Sequence, residues 1–368
     1  MKVLLISPLS KKITGGIVKW TEHIIKFHND NPQNIELQLL NNEDPISIVG
    51  GANSIIHRIY GGLRNYYPIL KSFKQITTKE DFDVVHISTS ASLALIKDLL
   101  IVNIAHKKGI RTVVHFHFGR IPQILKLKNW ENYLFIKLLK RIDCAVVMDM
   151  ASYNALSEYG YKKMCYLPNP LSQSVQNIID KKNTISRVPR KLVFAGHVVP
   201  TKGVFELVEA CSKIDNIQLE ILGAVNEEIK SSLEKIAGEN NQEWLNITGN
   251  VSFEQVIEGM LSCDIFVLPT YTEGFPNVIL ESMACGCSIV TTPVGAIPEM
   301  LEEEKGKKYG ILVPPQNIQA LKDAIELMLK DEHMKIECRK NVQDRVNARY
   351  NINAVWKQII SIWENAVK

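Results

Sequence analysis

Short apolar runs of strand length recur along this chain, each followed by a helix-like segment, and they come in two series separated by a polar stretch. In the first series, residues 2–7, 36–40, 84–88, 112–117 and 144–148 read as strands, and 164–170 ends this half. The pattern restarts with 192–195, 218–222, 264–268 and 288–292. Parallel neighbours need a crossover connection, so strand–helix alternation predicts parallel sheets with helices on both faces. Two series predict an α/β chain of two doubly wound, Rossmann-like domains. The boundaries follow: a first domain over 1–172, a polar linker over 173–190, a second domain over 191–350 and a last helix over 351–368. Val355, Trp356, Ile359, Ile362 and Trp363 give that helix an apolar face. The sequence leaves open whether it caps its own domain or crosses back to the first.

Length and composition fit this reading. A chain of 368 residues with 46% hydrophobic and 22% charged content is long enough for two full cores. No apolar run reaches 18 residues, so no membrane-spanning helix is expected. The apolar stretch at the start is too short for a signal peptide and reads as the first strand. The cysteines are seven, scattered and odd in number. Cys285-Gly-Cys287 is one close pair without a second, which argues against zinc and for a reduced, cytoplasmic protein.

The chemistry concentrates in Glu273-Gly-Phe-Pro-Asn-Val-Ile-Leu-Glu281. A strand stops at Pro269 just before it and another begins at Ser288 just after. Pro276 suits the first turn of the intervening helix and Gly286 its C-terminal cap. Such units hold ligands at the carboxyl ends of their strands. Eight helical residues span roughly 12 Å, whereas paired glycosidase carboxylates sit about 5–5.5 or 6.5–9.5 Å apart. Two grips along a long polar ligand therefore fit better than two acids on one atom. A nucleotide sugar has that shape, with hydroxyls at both ends and a diphosphate for the helix N-terminus. Earlier in the same domain, Gly196-His-Val-Val-Pro-Thr-Lys202-Gly203 turns from a strand into a helix. There Gly196 would let the backbone approach a diphosphate and Lys202 would meet its charge.

The segment from Pro269 to Gly286 resembles the signature of retaining nucleotide-sugar glycosyltransferases of the GT-B fold, specifically glycosyltransferase family 4. That resemblance implies two domains facing a cleft, with donor contacts from Gly16, Gly196, His197, Lys202, Gly274, Phe275, Pro276, Asn277, Val278 and Glu281. It also implies a catalytic set of Glu273 on the hexose hydroxyls, Lys202 on the leaving diphosphate and His117 at the base of the donor sugar. Glu281 would take the ribose. The family commonly carries arginine where this chain has His197, and histidine is neither always charged nor bidentate. His115 and His117 read as lying on opposite sides of one strand, with only His117 facing the cleft and His115 and His86 as core or supporting residues. No metal or other cofactor is expected. Asp81-Phe-Asp83 precedes a strand, at the wrong edge for a ligand, and reads as a turn.

Charge divides the halves. Residues 1–170 carry 22 basic and 13 acidic side chains, and residues 171–368 carry 21 and 26. The basic excess gathers in residues 97–141, mixed with apolar and aromatic side chains. That stretch reads either as an ordinary domain helix with lysines on its wet face or as a surface for an anionic membrane. The expected activity is hexose transfer from a UDP- or GDP-sugar to a glycan or lipid-linked acceptor in polysaccharide or lipopolysaccharide biosynthesis, in the cytoplasm or at the inner face of the membrane. Nucleic acid is the weaker explanation for the basic half, since no recognition motif accompanies it. A nucleotide-sugar epimerase or a non-catalytic scaffold of the same fold are the alternatives. An epimerase would need acid and base groups at the sugar, and a scaffold would have lost its donor contacts.

Overall fold

The computed structural model describes residues 1–10, 15–43, 55–182 and 184–368, and the side chains of all of these except 55–65. They form two compact units: Met1–Pro170 with Asn353–Lys368, and Leu171–Ile352. The chain thus leaves the first unit, builds the second and returns.

In the first unit, β1 (Lys2–Ser7), β2 (Glu36–Asn41), β3 (Val84–Thr89), β4 (Arg111–Phe116), β5 (Cys144–Val147) and β6 (Met164–Tyr166) make one sheet in the order β2-β1-β3-β4-β5-β6. In the second, β7 (Lys191–Ala195), β8 (Gln218–Leu222), β9 (Leu245–Gly249), β10 (Ile265–Leu268), β11 (Ser288–Thr291) and β12 (Ile311–Leu312) run β12-β11-β10-β7-β8-β9. Every pairing is parallel. β3, β5, β10 and β11 are buried along their whole length, β5 and β10 as unbroken apolar runs and β3 and β11 with buried His, Ser and Thr among the apolar residues. Two strands escape a reading of apolar runs. β9 alternates polar Asn246 and Thr248 with half-buried positions, and β12 has two residues.

The predicted linker is corrected in part. Residues Gln173–Lys181 form a helix whose Val175 is fully buried, because Val175, Ile178 and Ile179 recur at helical spacing within an otherwise polar stretch. Arg187, further along, is a structural anchor. Its guanidinium donates to the carbonyls of Cys263 at 2.7 Å, Cys285 at 2.8 Å and Gly286 at 2.6 Å. It thereby neutralises the C-terminal end of the helix Asn277–Ala284. The Leu171 N–H donates to Tyr350 O at 2.7 Å, so the chain enters and leaves the second unit at one place.

The last helix, Ile352–Val367, joins the first unit. Its Trp356 and Trp363 are buried, and Trp363 Nε1–H donates to His86 Nδ1 at 2.9 Å. Asp83 is a turn residue at the amino edge: its carboxylate accepts from the Lys2 N–H at 2.7 Å and so fixes the start of β1.

Candidate active site

The order of strands in the second unit reverses where β7 lies beside β10, and doubly wound sheets bind ligands outside such a point. The loops leaving these two strands are the Gly196–Gly203 loop and the Pro269–Gly274 loop. They are tied directly. The Tyr271 N–H donates to Thr201 O at 2.9 Å, and Lys202 Nζ meets Glu273 Oε1 at 2.5 Å. This ion pair is partly sheltered, with side chains 26% and 12% exposed, so solvent screens it less than a surface pair. His197 is exposed on the same loop.

Close backbone packing sets these loops, and it explains the glycines. Gly203 has φ 72°, and a Cβ there would stand 2.1 Å from Pro269 O. A Cβ on Gly223, at the end of β8, would stand 1.8 Å from Gly196 O. Gly196 itself has φ 145° and no close neighbour, so its need for glycine is conformational. A third loop comes from β11. Gly295, with φ 58°, lies so close that a Cβ would be 2.5 Å from the carbonyl oxygens of both Glu273 and Gly274. The next residue, Ala296, donates its N–H to Gly274 O at 2.8 Å, and Thr292 Oγ1 donates to Thr270 O at 2.5 Å. The sequence reading missed Gly295 and Gly223. The one legible signal is a glycine just past the end of each strand, where a turn and a close approach coincide.

Behind the acidic loop, Pro276 is the N-cap of the helix Asn277–Ala284 and offers no side-chain cap. The first N–H groups of a helix have no partner within it, and the dipole there is positive. Phe275 is buried edge-on against Tyr350, which fixes the turn leading to Pro276. Asn277 and Val278 form the half-buried first turn, and Glu281 sits one turn further on, 9% exposed. The helix ends as the sequence requires, with Gly286 at φ 64° and its N–H on Met283 O at 3.0 Å. Lys202, Glu273 and the helix start therefore gather at one sheet edge.

In the first unit, Gly16 opens the helix Gly16–Asp30, with space where its Cβ would stand. His117 follows β4, its N–H donating to Thr89 O at 3.0 Å. The expectation that His115 faces away from His117 is wrong. Their rings stand 3.8 Å apart, because residues two positions apart on a strand share a face. Both pack edge-on against Trp20 at 5.0 Å, and His86 on β3 lies 5.6 Å from His115. Burial, reinforced by the neighbouring imidazoles, pushes His117 down to about 3 and holds His115 well below the usual imidazole range. His86 is also pushed down to about 3 by burial, and accepting the Trp363 N–H requires its Nδ1 to be unprotonated. His86, His115 and His117 thus form a cluster of neutral imidazoles. Trp20, His86 and Trp363 were not assigned to a site in the sequence, since the contacts join residues far apart along the chain.

Among the described residues, no three His, Cys, Asp or Glu side chains are placed to hold a metal ion, and no helix is long and apolar enough to cross a membrane. The family comparison decides the identity. Residues 175–345 match the model for glycosyl transferases group 1, and residues 30–174 match that for glycosyltransferase family 4. The chain belongs to the group 1, family 4 glycosyltransferases. This glycosyltransferase is 25% identical over 276 residues to the putative teichuronic acid biosynthesis glycosyltransferase TuaC of Bacillus subtilis, covering 70% of this chain and 68% of TuaC. Among solved structures, sucrose-phosphate synthase from Thermosynechococcus elongatus aligns with TM-score 0.76 at 17% identity, over 99% of this chain and 98% of that one. Anabaena HepE in complex with UDP aligns with TM-score 0.72 at 16% identity, over 99% and 100%, and HepE has also been solved with UDP-glucose. The fold is GT-B, with two parallel six-stranded sheets; the second series of apolar runs accounts for four strands of its sheet and misses β9 and β12.

Proposed function

We propose that this glycosyltransferase moves a hexose from a nucleoside-diphosphate sugar, UDP or GDP, to a glycan or lipid-linked acceptor in cell-surface polysaccharide or lipopolysaccharide synthesis, without a metal and with retention at the anomeric carbon. The observation that carries the reading is the Lys202–Glu273 pair beside the start of the helix Asn277–Ala284. An incoming diphosphate competes with Glu273 for the Lys202 ammonium. It takes the cation and frees the carboxylate to accept hydrogen bonds from hexose hydroxyls. Charge that develops on the leaving diphosphate is stabilised by Lys202, by His197 when protonated, and by the amides from Gly274 to Val278. Gly196 brings the β7 loop backbone to the phosphates, and Glu281 accepts from the ribose. Gly16 contributes a further donor contact. His117, neutral at working pH, orients the sugar and offers its carbonyl to positive charge at the anomeric carbon.

The HepE complexes support a nucleotide-sugar donor, and TuaC supports a polysaccharide pathway. The intact charge set at Lys202, Glu273 and Glu281 favours catalysis over a scaffold role. The test is thermal stabilisation by a panel of UDP-, GDP- and ADP-sugars in EDTA, on wild type and Glu281→Ala. Stabilisation by one donor, lost in the variant, is the expected result. No shift with any donor would sink the donor-site reading.

A further inference from the structure

One face of the first sheet holds more buried polar atoms than its own side chains pair. Ser88 on β3 is the register partner of His115 on β4, and His86 and His117 lie two residues along on the same face. Ser88, His115 and Trp20 are no more than 3% exposed. Among the described residues, Ser88 Oγ, both ring nitrogens of His115, His117 Nε2, His86 Nε2 and Trp20 Nε1 have no hydrogen-bond partner. Left dry, these six atoms would together cost an amount that rivals the stability of a whole domain. Their chemistry is mixed. Trp20 Nε1 carries a hydrogen, and so does His86 Nε2, because His86 Nδ1 accepts from Trp363. A neutral His115 offers one donor and one acceptor, and the Ser88 hydroxyl serves as either. Water, with two of each, matches such a set.

We propose that ordered water joins Ser88, His115 and His117, and that through it Ser88 and His115 act as positioning residues for the His117 ring. The His117 backbone is already fixed by its N–H on Thr89 O at 3.0 Å. Its ring plane is fixed by the stack on His115, with centroids 3.8 Å apart, and by the edge of Trp20 at 5.0 Å. Neither contact chooses between the two flips of an imidazole in its plane, nor between its two tautomers. Only a hydrogen bond to a ring nitrogen makes those choices. The network lies where β3 and β4 end, at the edge where a doubly wound sheet receives ligands. A histidine that orients a sugar there must present one defined nitrogen. This deepens the proposed function, and only the kinetic test below rests on it.

The first experiment needs no variant. A high-resolution crystal structure should place a water about 2.7–3.2 Å from Ser88 Oγ, a His115 nitrogen and His117 Nε2. Nitrogen-15 spectra of the histidine-labelled chain should show His117 in a single tautomer. His115→Phe keeps a flat ring against His117 and removes both nitrogens, so His117 should then populate both tautomers. With water as the acceptor, turnover of UDP-glucose or GDP-mannose should fall about tenfold or more in kcat, with KM little changed. His115→Gln restores a donor and an acceptor and should recover much of kcat. Near-UV circular dichroism identifies the folded variants, and Ser88→Ala, with the same mixed tautomers to a lesser degree, serves if His115→Phe does not fold. A dry cluster, or an unchanged single His117 tautomer in the folded variants, overturns the proposal. So does a His115→Phe that melts above wild type, since it would have shed two unpaired nitrogens. A wild type that turns over neither sugar nucleotide, with water and tautomer as predicted, counts against the donor reading and leaves the positioning network standing.

Discussion

The two units bring their candidate residues together by opposite means. In the second unit the site is charged and lies on loops from neighbouring strand ends, held by glycines pressed against carbonyl oxygens. In the first it is neutral, aromatic and buried, and it borrows Trp363 from the last helix, 277 residues beyond His86. The lesson is one of energetics. A loop site can keep an ion pair poised for exchange because, though partly sheltered, it stays within reach of a ligand. A buried imidazole cluster cannot hold charge, and its order depends on packing.

That contrast yields predictions of falling size. Lys202→Met removes the cation from the leaving group, and kcat should fall about 10²- to 10³-fold, as for a lost transition-state contact. Trp363→Phe should leave kcat near that of wild type, so a comparable loss there would blur the division. Gly295→Ala forces a Cβ against two carbonyl oxygens at 2.5 Å and a left-handed backbone. Urea unfolding should register a loss of about 2–3 kcal/mol, together with weaker nucleotide binding. Trp363→Phe leaves buried His86 Nδ1 without its donor and should cost about 1–2 kcal/mol in the same assay, with nucleotide affinity unchanged.

The smallest effect, taken per pH unit, is in acid stability. The folded state holds His86 at about 3, while an unfolded histidine titrates near 6.5, so the unfolded chain binds more protons between these values. Stability from this burial is fully present above pH 6.5 and drains away as pH falls toward 3. His86 contributes a slope of at most about 1.4 kcal/mol per pH unit. His86→Phe should flatten the acid limb of the unfolding curve. A limb unchanged by that substitution would mean that other groups carry it.

The difference also decided what could be read from the sequence. The acidic motif was legible because a strand, a proline turn, a helix and a capping glycine are contiguous, and each has local chemistry. The reversal at β7 and β10 explains why that motif and the Lys202 loop meet. Gly295 was hidden because its constraint is a carbonyl in another loop. The linker reading missed Arg187, whose partners lie 73 and more residues away. The histidines were misread by a simple error of period, two residues being one full repeat of a strand. Their tryptophan partners left no local trace, since burial looks the same whether a residue packs or orients.

The central claim is a nucleoside-diphosphate site carried by the second unit. Its most direct test is calorimetric titration of UDP and GDP into wild type, Lys202→Met, Glu281→Ala and Trp363→Phe. The account predicts saturable binding of one nucleotide in wild type and in Trp363→Phe, and weakening of about tenfold or more in Lys202→Met and Glu281→Ala. Equal affinity in all four proteins, or loss in Trp363→Phe alone, would contradict it.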